Sequence, residues 1–537
     1  MNDKTVHERR WGILGVLIVS LLIVVLDNSV LNVALKVLAD PKPRGIAASQ
    51  SDLEWAINSY TLVFAGMLLT WGVLGDRVGR RRILLVGFVL FGIASLASAY
   101  SKDPAQLIAA RALMGLGGAA VMPATLAIIS NVFEPQERPK AIGLWAGAVG
   151  LGIAIGPIVG GALLAHFWWG SVFLINVPIV VIGGALIVMF VPESRNTQSG
   201  KLDPVGVLLE VVGLVLVVYA IIRIGDVGTI VATSVLVPLL LGALVLVAFV
   251  RYERSIDHPT LDIKLFRDPR FSAAVGAIAL VFFALMGVTF FTVFYLQSVR
   301  GYTPLQAGVR FLPLAVAQLV MSARSAGLVK RFGSKAVCTA GLLMMAGTFI
   351  GFVTLGTHSS IWVLEVLFLF QGAAIGIIMP PATESIMSSL PREKAGAGSA
   401  VNNVARQVGG ALGVAVLGTV LASSYRGQLG PKLDATGLAE PLRRAMEKSI
   451  EATQAIVGQA HLPSSILGNA NTAFVHAMHL TALCSAGVGL LGAIVAFTFL
   501  PGRRPAGIVV GDTALAGNSA SATGAAPQEQ ENFVDVP

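Results

Sequence analysis

Gly72-Val73-Leu74-Gly75-Asp76-Arg77-Val78-Gly79-Arg80-Arg81-Arg82 interrupts an apolar run with one acid and four arginines. Apolar stretches flank it on both sides, 54–74 and 82–101, each of the ~20 residues that a helix needs to cross a bilayer. The segment therefore reads as a tight turn between two membrane-crossing helices, with glycines that let the backbones approach closely. Outward from it the same alternation of apolar run and short polar link fills the chain to about residue 500. Only 12% of the 537 residues are charged and 55% are apolar, against roughly 25% charged in soluble chains; mean hydropathy is +0.78. A lipid solvent leaves the backbone no outside hydrogen-bond partner, so these runs must be helices and the fold class is all-α membrane protein.

Fourteen helices are predicted, at 12–36, 54–74, 82–101, 105–130, 140–165, 168–191, 204–224, 229–250, 272–296, 304–329, 335–357, 361–387, 395–423 and 472–500. The polar segment Met1 to Arg10 enters the first of them without a small-residue cleavage site, so that helix is read as retained. The net charge of +9 forms no basic stripe and excludes nucleic acid as the expected partner. It marks topology instead. With the N-terminus inside, eighteen Lys and Arg fall in inner loops, Arg77, Arg80, Arg138, Lys201, Arg254 and Lys330 among them. Six, Lys36, Lys42, Arg44, Lys102, Arg223 and Arg300, fall outside. Both termini are expected to be cytoplasmic. The two cysteines, Cys338 and Cys484, lie in apolar runs and offer neither a disulfide framework nor a zinc quartet. No cofactor or metal is expected. His476 and His479 lack a further ligand and read as interfacial packing.

Three further patterns carry chemistry. Leu26-Asp27-Asn28-Ser29-Val30-Leu31-Asn32 puts a carboxylate and two amides inside the first helix, where a lone charge costs ~2.5 to 3.5 kcal/mol on insertion scales. Leu107-Ile108-Ala109-Ala110-Arg111-Ala112-Leu113-Met114-Gly115 buries an arginine that needs an acidic or carbonyl partner. In the fifth helix Gly152, Gly156 and Gly160 recur every fourth residue beside Pro157 and Gly161, a small-residue face for close helix packing. The glycine strings follow no strand and are not dinucleotide loops.

Together these stretches resemble the major facilitator superfamily, and in particular its fourteen-span drug:proton antiporters. The segment from Gly72 through Asp76, Arg77, Gly79 and Arg80 resembles the superfamily's signature loop, which latches the two halves on the cytoplasmic side. Asp76 suits the positive start of the thirteenth helix near Ala395, or nearby arginines. The run of Gly152, Gly156, Pro157, Gly160 and Gly161 resembles the motif that distinguishes antiporters from importers. The first-helix string resembles that of the fourteen-span family, with Ser29 for the usual Thr and Lys36 for the usual Pro. The Arg111 string resembles the proton-transfer motif, with Met114 replacing a residue often polar. Leu53 to Tyr60, Phe173 to Pro178 and Tyr295 to Tyr302 extend the match over the membrane region. In the second half, Gly327 to Gly333 has Lys330 where an acid is expected, so a latch there should be weaker or differently paired.

The resemblance implies two six-helix bundles, 1–195 and 252–504, with two linker helices at 196–251. The residues themselves indicate a long external loop at 423–471, in which Glu440 to Gln459 has the helical spacing of a surface helix through Leu442, Met446, Ile450 and Val457, and a tail at 505–537, rich in Gly, Ala, Ser, Thr and Gln, that is expected to be disordered and cytoplasmic. The resemblance implies a monomer in the cytoplasmic membrane that exchanges protons for a hydrophobic small-molecule or lipid substrate. Asp27, Arg111 and Glu365 are the proton-coupling candidates. Asn28, Asn32, Asn58, Tyr60, Phe282, Phe283, Phe290, Phe291, Gln318 and Arg406 are the substrate-contact candidates. A dedicated lipid or metabolite exporter would use the same machinery. A membrane enzyme or sensor would need a catalytic cluster or appended domain that the sequence does not display.

Overall fold

Thirteen described helices have the length and apolarity to cross a bilayer, and Arg138–His166, 29 residues long, makes the fourteenth. The computed structural model describes residues 3–134, 137–195, 202–256, 259, 261, 263–389 and 395–500; the expected tail at 505–537 lies outside them. In chain order the helices are α1 (Asp3–Ala39), α2 (Gln50–Val78), α3 (Arg80–Ala99), α4 (Pro104–Val132), α5 (Arg138–His166), α6 (Ser171–Phe190), α7 (Pro204–Val227), α8 (Thr233–Ser255), α9 (Pro269–Val299), α10 (Pro304–Phe332), α11 (Ser334–Thr354), α12 (Ile361–Ser388) and α13 (Ala395–Asp434). Two short helices, α14 (Glu440–Met446) and α15 (Ile450–Gln459), precede α16 (Ser464–Phe499). Large apolar side chains such as Ile93, Val181, Leu240 and Trp362 stand exposed on the outside. That inverts the pattern of a water-soluble surface and fits a lipid one.

Local chemistry sets the helix starts. Ser49 and Asp52 form a capping box on α2, as Thr303 and Gln306 do on α10. Asp103, Asp203 and Asp268 each accept a first-turn backbone N–H. The predicted turn between the second and third helices is shorter than its sequence implied: α2 continues through Asp76 and Arg77 to Val78, and α3 begins at Arg80. The one residue between them, Gly79, has φ +130° and lies so close to the Glu193 carboxyl that a Cβ would come within 2.7 Å of it. Only glycine suits that conformation and that space. The second half repeats the device: Gly333, φ +84°, alone separates α10 from α11.

Helices α7 and α8 pack on each other through Gly213 against Leu246 and Gly242 against Val217. The pair then leans on α2 and α13. Gly66 of α2 faces Val211, Thr419 Oγ1 donates to Ile221 O at 2.8 Å, and Arg426 donates to Gly225 O at 2.7 Å.

The expected long loop at 423–471 is mostly helix, because α13 runs to Asp434 and α16 begins at Ser464. The single surface helix expected over 440–459 is two helices, broken where Ser449 caps the second by accepting from Ala452 N. Met446, Ile450 and Val457 are buried and Leu442 is partly buried. They form a cap over the ends of α9 and α13: Tyr425 Oη and Thr453 Oγ1 are 2.8 Å apart, Ser298 Oγ donates to Glu451 Oε1 at 2.8 Å, and Gln454 donates to Ser298 O at 2.7 Å.

Burial pushes the Glu451 carboxyl above the ordinary carboxylate range, against the pull of its hydrogen bond from Ser298. A folded pKa above the unfolded one means that the acid's contribution to docking is full at acid pH and is lost as pH rises through the folded value. Hydrogen exchange over 440–459 should therefore quicken, beyond its intrinsic rise, as pH increases through that range in the wild type. In Glu451→Gln the excess should vanish; an equal pH dependence in both proteins would refute the assignment.

Candidate functional site

The first half is organised around one buried ion pair. Asp27 of α1 and Arg111 of α4 are hydrogen-bonded partners, with side chains 1% and 0% exposed. Close packing brings them together: Gly115 lies against the Tyr60 backbone carbonyl and Gly118 against the Tyr60 hydroxyl, so α4 presses onto α2 and aims Arg111 across it. The guanidinium sits 4.3 Å above the Tyr60 ring, which stacks on Phe64. Its Nε donates to Ala56 O at 3.1 Å and its Nη2 to Asn28 Oδ1 at 3.4 Å. Met114, which replaces a residue often polar, still serves: its Sδ accepts from Ser98 Oγ at 3.2 Å and faces Arg111 Nη1 at 3.8 Å.

The second carboxylate oxygen of Asp27 accepts from Asn176 Nδ2 at 3.0 Å. Asn176 also donates to Ser95 Oγ at 3.0 Å, and Ser95 donates to Phe173 O at 2.8 Å. Neither Asn176 nor Ser95 stood among the sequence candidates. The available signal was an amide inside an otherwise apolar span, at the break in α6 near Ile175. Asp27 thus joins α1, α4 and α6, and Arg111 adds α2.

Around the signature segment, Arg80 pairs with Asp76 at 2.8 Å and donates to Ala127 O at 3.2 Å. The alternative docking of Asp76 on the helix start near Ala395 falls outside the described surroundings. Glu193, past the end of α6, accepts from Arg81 N at 3.1 Å and lies 3.7 Å from Arg82, which binds the turn to the chain after α6. Arg77 is exposed.

The glycine face of α5 meets two helices. A Cβ at Gly152, Gly156 or Gly160 would strike Val25, Ser29 or Val30 of α1. Gly161 abuts the Leu305 backbone of α10, and a Cβ at Gly308 of α10 would lie 2.2 Å from Pro157 O. Residues 152–161 therefore join the first half to the second. A companion seam joins α2 to α13: Gln50 Nε2 donates to Gly418 O at 2.9 Å, and Gly418 leaves room for the Glu54 carboxyl. Glu54 is buried, with Oε2 lacking a hydrogen-bond partner. It escaped notice because α2 begins at Gln50, a turn earlier than its hydropathy placed it. Gln297 of α9 donates to Val33 O of α1 at 2.9 Å and completes the contacts at this end.

Other candidates scatter. Glu365 pairs with Arg310 rather than approaching Asp27, and Arg310 lies 5.4 Å from the Tyr302 ring. Asn28 and Asn32 are half-buried along α1, whereas Asn58 is fully buried and neither amide atom has a partner. Phe290 and Phe291 are core residues packed on Phe294 and Phe352. The Phe283 backbone fills the space at Gly413, and Gln318 is half-buried with its backbone carbonyl against Gly376. Arg406 lies over Phe282, 4.7 Å from the ring centre. His479 contacts Leu355 O at 2.7 Å.

Residues 17–414 match the Major Facilitator Superfamily. The chain belongs to that superfamily. Its relatives include the methyl viologen resistance protein SmvA of Salmonella typhimurium, 35% identical over 90% of this chain and 96% of that protein. The multidrug efflux pump LfrA of Mycolicibacterium smegmatis is 34% identical over 91% and 95%. The tetracenomycin C resistance and export protein of Streptomyces glaucescens is 31% identical over 91% of each. Among solved structures, a bacterial homologue of the human lysosomal transporter Spinster, inward-facing and occupied, superposes with a TM-score of 0.65 at 15% identity, covering 91% of this chain and 96% of that one. The chain is thus a multi-pass membrane protein grouped with the drug-resistance exporters of its superfamily.

Two outcomes test the geometry. Removing the Asn176 amide strips Asp27 of one of its two partners, so Asn176→Ala should cost about 1.5–3 kcal/mol, read as a lower melting temperature in detergent, with Arg111→Ala costing more. At the seam, Gly308→Ala forces a methyl onto a backbone carbonyl; an overpacking cost of about 1–3 kcal/mol should fall on this contact, slowing transport while leaving insertion normal. Unchanged transport in Gly308→Ala would show that α5 and α10 need not close this tightly.

Proposed function

We propose that this protein is a proton-coupled antiporter that exports hydrophobic compounds, drugs among them, across the cytoplasmic membrane by alternating access. The single observation that carries the reading is the buried Asp27–Arg111 pair: a titratable carboxylate in a dry site, matched by one cation. Low dielectric favours the neutral acid and Arg111 favours the anion. A conformational change that alters water access or the Arg111 contact converts into proton uptake or release. Each proton moved inward supplies ~2.3 kcal/mol per 100 mV, before any pH gradient.

In this reading 1–195 and 252–504 are the two rocking halves, and α7 and α8, which fill 196–251 and run on to Ser255, are an added pair beside the α2–α13 seam. The distribution of Lys and Arg supports cytoplasmic termini. The seams at Gly161, Gly308, Gln50, Gly418 and Gln297 then lie at the outer ends of their helices, so the conformation described is sealed outward. Gly72, Asp76, Arg77, Gly79 and Arg80 act as the latch at the opposite end. Asn28, Asn32 and Arg406, each half-buried, are the proposed cargo contacts. The relatives' names, with methyl viologen, an aromatic dication, and tetracenomycin C as the compounds resisted, support aromatic cargo of modest size that need not be uncharged.

Substrate-induced proton release in detergent and gradient-driven export in proteoliposomes test the assignment together. Asp27→Asn keeps size and hydrogen-bonding capacity, so it should abolish proton release and uphill export while cargo still binds. If the pair were purely structural, Asp27→Asn would instead lower yield and thermal stability, and neutralising Arg111 as well would restore both folding and transport. Proton release that persists in Asp27→Asn would remove Asp27 from the coupling role.

A further inference from the structure

Among the described residues, every strong cation deep in the helices except one is exposed or has a counter-charge. Arg111 is matched by Asp27 and Arg310 by Glu365. Arg324 is exposed on the outer face of α10. Arg406 differs. It lies three turns into α13, about 16 Å from the helix start, and no acid or hydrogen-bonding acceptor among the described residues contacts it. Among the described residues its charge meets only the face of Phe282 on α9.

The surroundings fix where it points. Just beyond Arg406, α13 and α9 cross almost backbone to backbone, with Gly409 against Ala279 O and Gly413 against Phe283 O. Arg406 lies one turn short of that crossing and is half-buried. One turn earlier on the same face, Asn402 is buried with its Oδ1 unpartnered. A guanidinium carries five donors and no acceptor, so an aromatic face satisfies its charge only in part and none of its N–H groups. Asp27 pairs with Arg111, Glu365 with Arg310 and Asp226 with Arg223; Glu54 is enclosed at the α2–α13 seam, Glu210 is buried on α7 and Glu384 is exposed on α12, and none of these pairs with Arg406. An intramembrane cation left in this condition marks a ligand site.

We infer that Arg406, backed by the ring of Phe282, binds the anionic group of an amphiphilic cargo, a carboxylate or sulfonate whose apolar body lies along α9. This rests on the export reading above and adds a charge class to it. The fork geometry of arginine matches such a group bidentately, and the ring behind it accommodates the adjoining apolar carbon. Cationic cargo, by contrast, meets like charge at this position.

The test uses the full-length protein in nanodiscs and three probes: 8-anilinonaphthalene-1-sulfonate, its uncharged relative N-phenyl-1-naphthylamine, and ethidium. Displaceable binding is measured against empty nanodiscs. The wild type should hold the sulfonate more tightly than the neutral probe. Arg406→Gln should weaken the sulfonate about tenfold or more, as loss of a charge-assisted hydrogen bond requires, and leave the neutral probe within about twofold, with ethidium unchanged or improved. Arg406→Lys, a point charge without the fork, should fall between. The proposal is overturned if Arg406→Gln leaves sulfonate binding intact, or if it weakens all three probes alike with a lower melting temperature, which is the signature of a structural arginine. Export of the same probes from proteoliposomes separates the two readings: a wild type that binds the sulfonate through Arg406 but exports nothing keeps the anion site and loses the exporter.

Discussion

A carboxylate and a guanidinium in a dry helical interior constrain everything around them, because neither charge can be abandoned there without a penalty of several kcal/mol. Asp27 and Arg111 meet that constraint by recruiting α1, α2, α4 and α6 into one hydrogen-bonded set. The set is complete on the Asp27 side: one oxygen faces Arg111 and the other Asn176. A helix that moved by itself would break a charged contact, so these four helices must move as a block unless the carboxylate changes its charge. The same interaction therefore ties α1, α2, α4 and α6 together.

The contacts between the halves obey different physics. Lipid gives helices no hydrophobic reason to associate, so the seams rely on van der Waals approach and backbone hydrogen bonds. Gly161, Gly308 and Gly418 remove the side chains that would hold the backbones apart, and Gln50 and Gln297 each donate one bond across. None of the bonds named there is an ion pair. Parting such a seam exposes small residues and two amides, each of which water or a new neighbour can satisfy. Strong charged contacts within a half and weak, shape-dependent contacts between halves are what a rocking motion needs.

Much of this was legible in the residues because membrane helices announce themselves by composition. The fourteen spans, the glycine face of α5, and the meeting of Asp27 with Arg111 all followed from hydropathy, spacing, or the cost of a lone charge, aided by family likeness. What stayed hidden depended on packing. Asn176 looked like one polar residue among many, and only the break in α6 turns its amide toward Asp27. Glu365 looked like a free acid because nothing in the sequence tied it to Arg310, fifty-five residues earlier. Phe290 and Phe291 could face cargo, lipid or core by their spacing alone, and the rings of Phe294 and Phe352 decide for core. The external segment misled because Tyr425 and Leu429 carry α13 beyond its apolar stretch, and their burial under the cap, not their hydropathy within the membrane, keeps it helical.

The two halves share a hinge but not its electrostatics. Gly79 and Gly333 each join two helices across a single residue of positive φ, yet the first hinge is braced by Asp76–Arg80 and by Glu193, while Lys330 occupies the second where an acid could stand. Three cations of the second half lie over rings: Lys335 is 4.4 Å from Phe497, Arg331 5.2 Å from Phe332, and Arg406 4.7 Å from Phe282. An aromatic face attracts a cation without an anion having to be desolvated, and it has no proton to lose near neutral pH. Acidic braces respond to protonation and aromatic ones do not. The positive charge of Arg406 is thus held beside Phe282 without an acidic partner that could titrate.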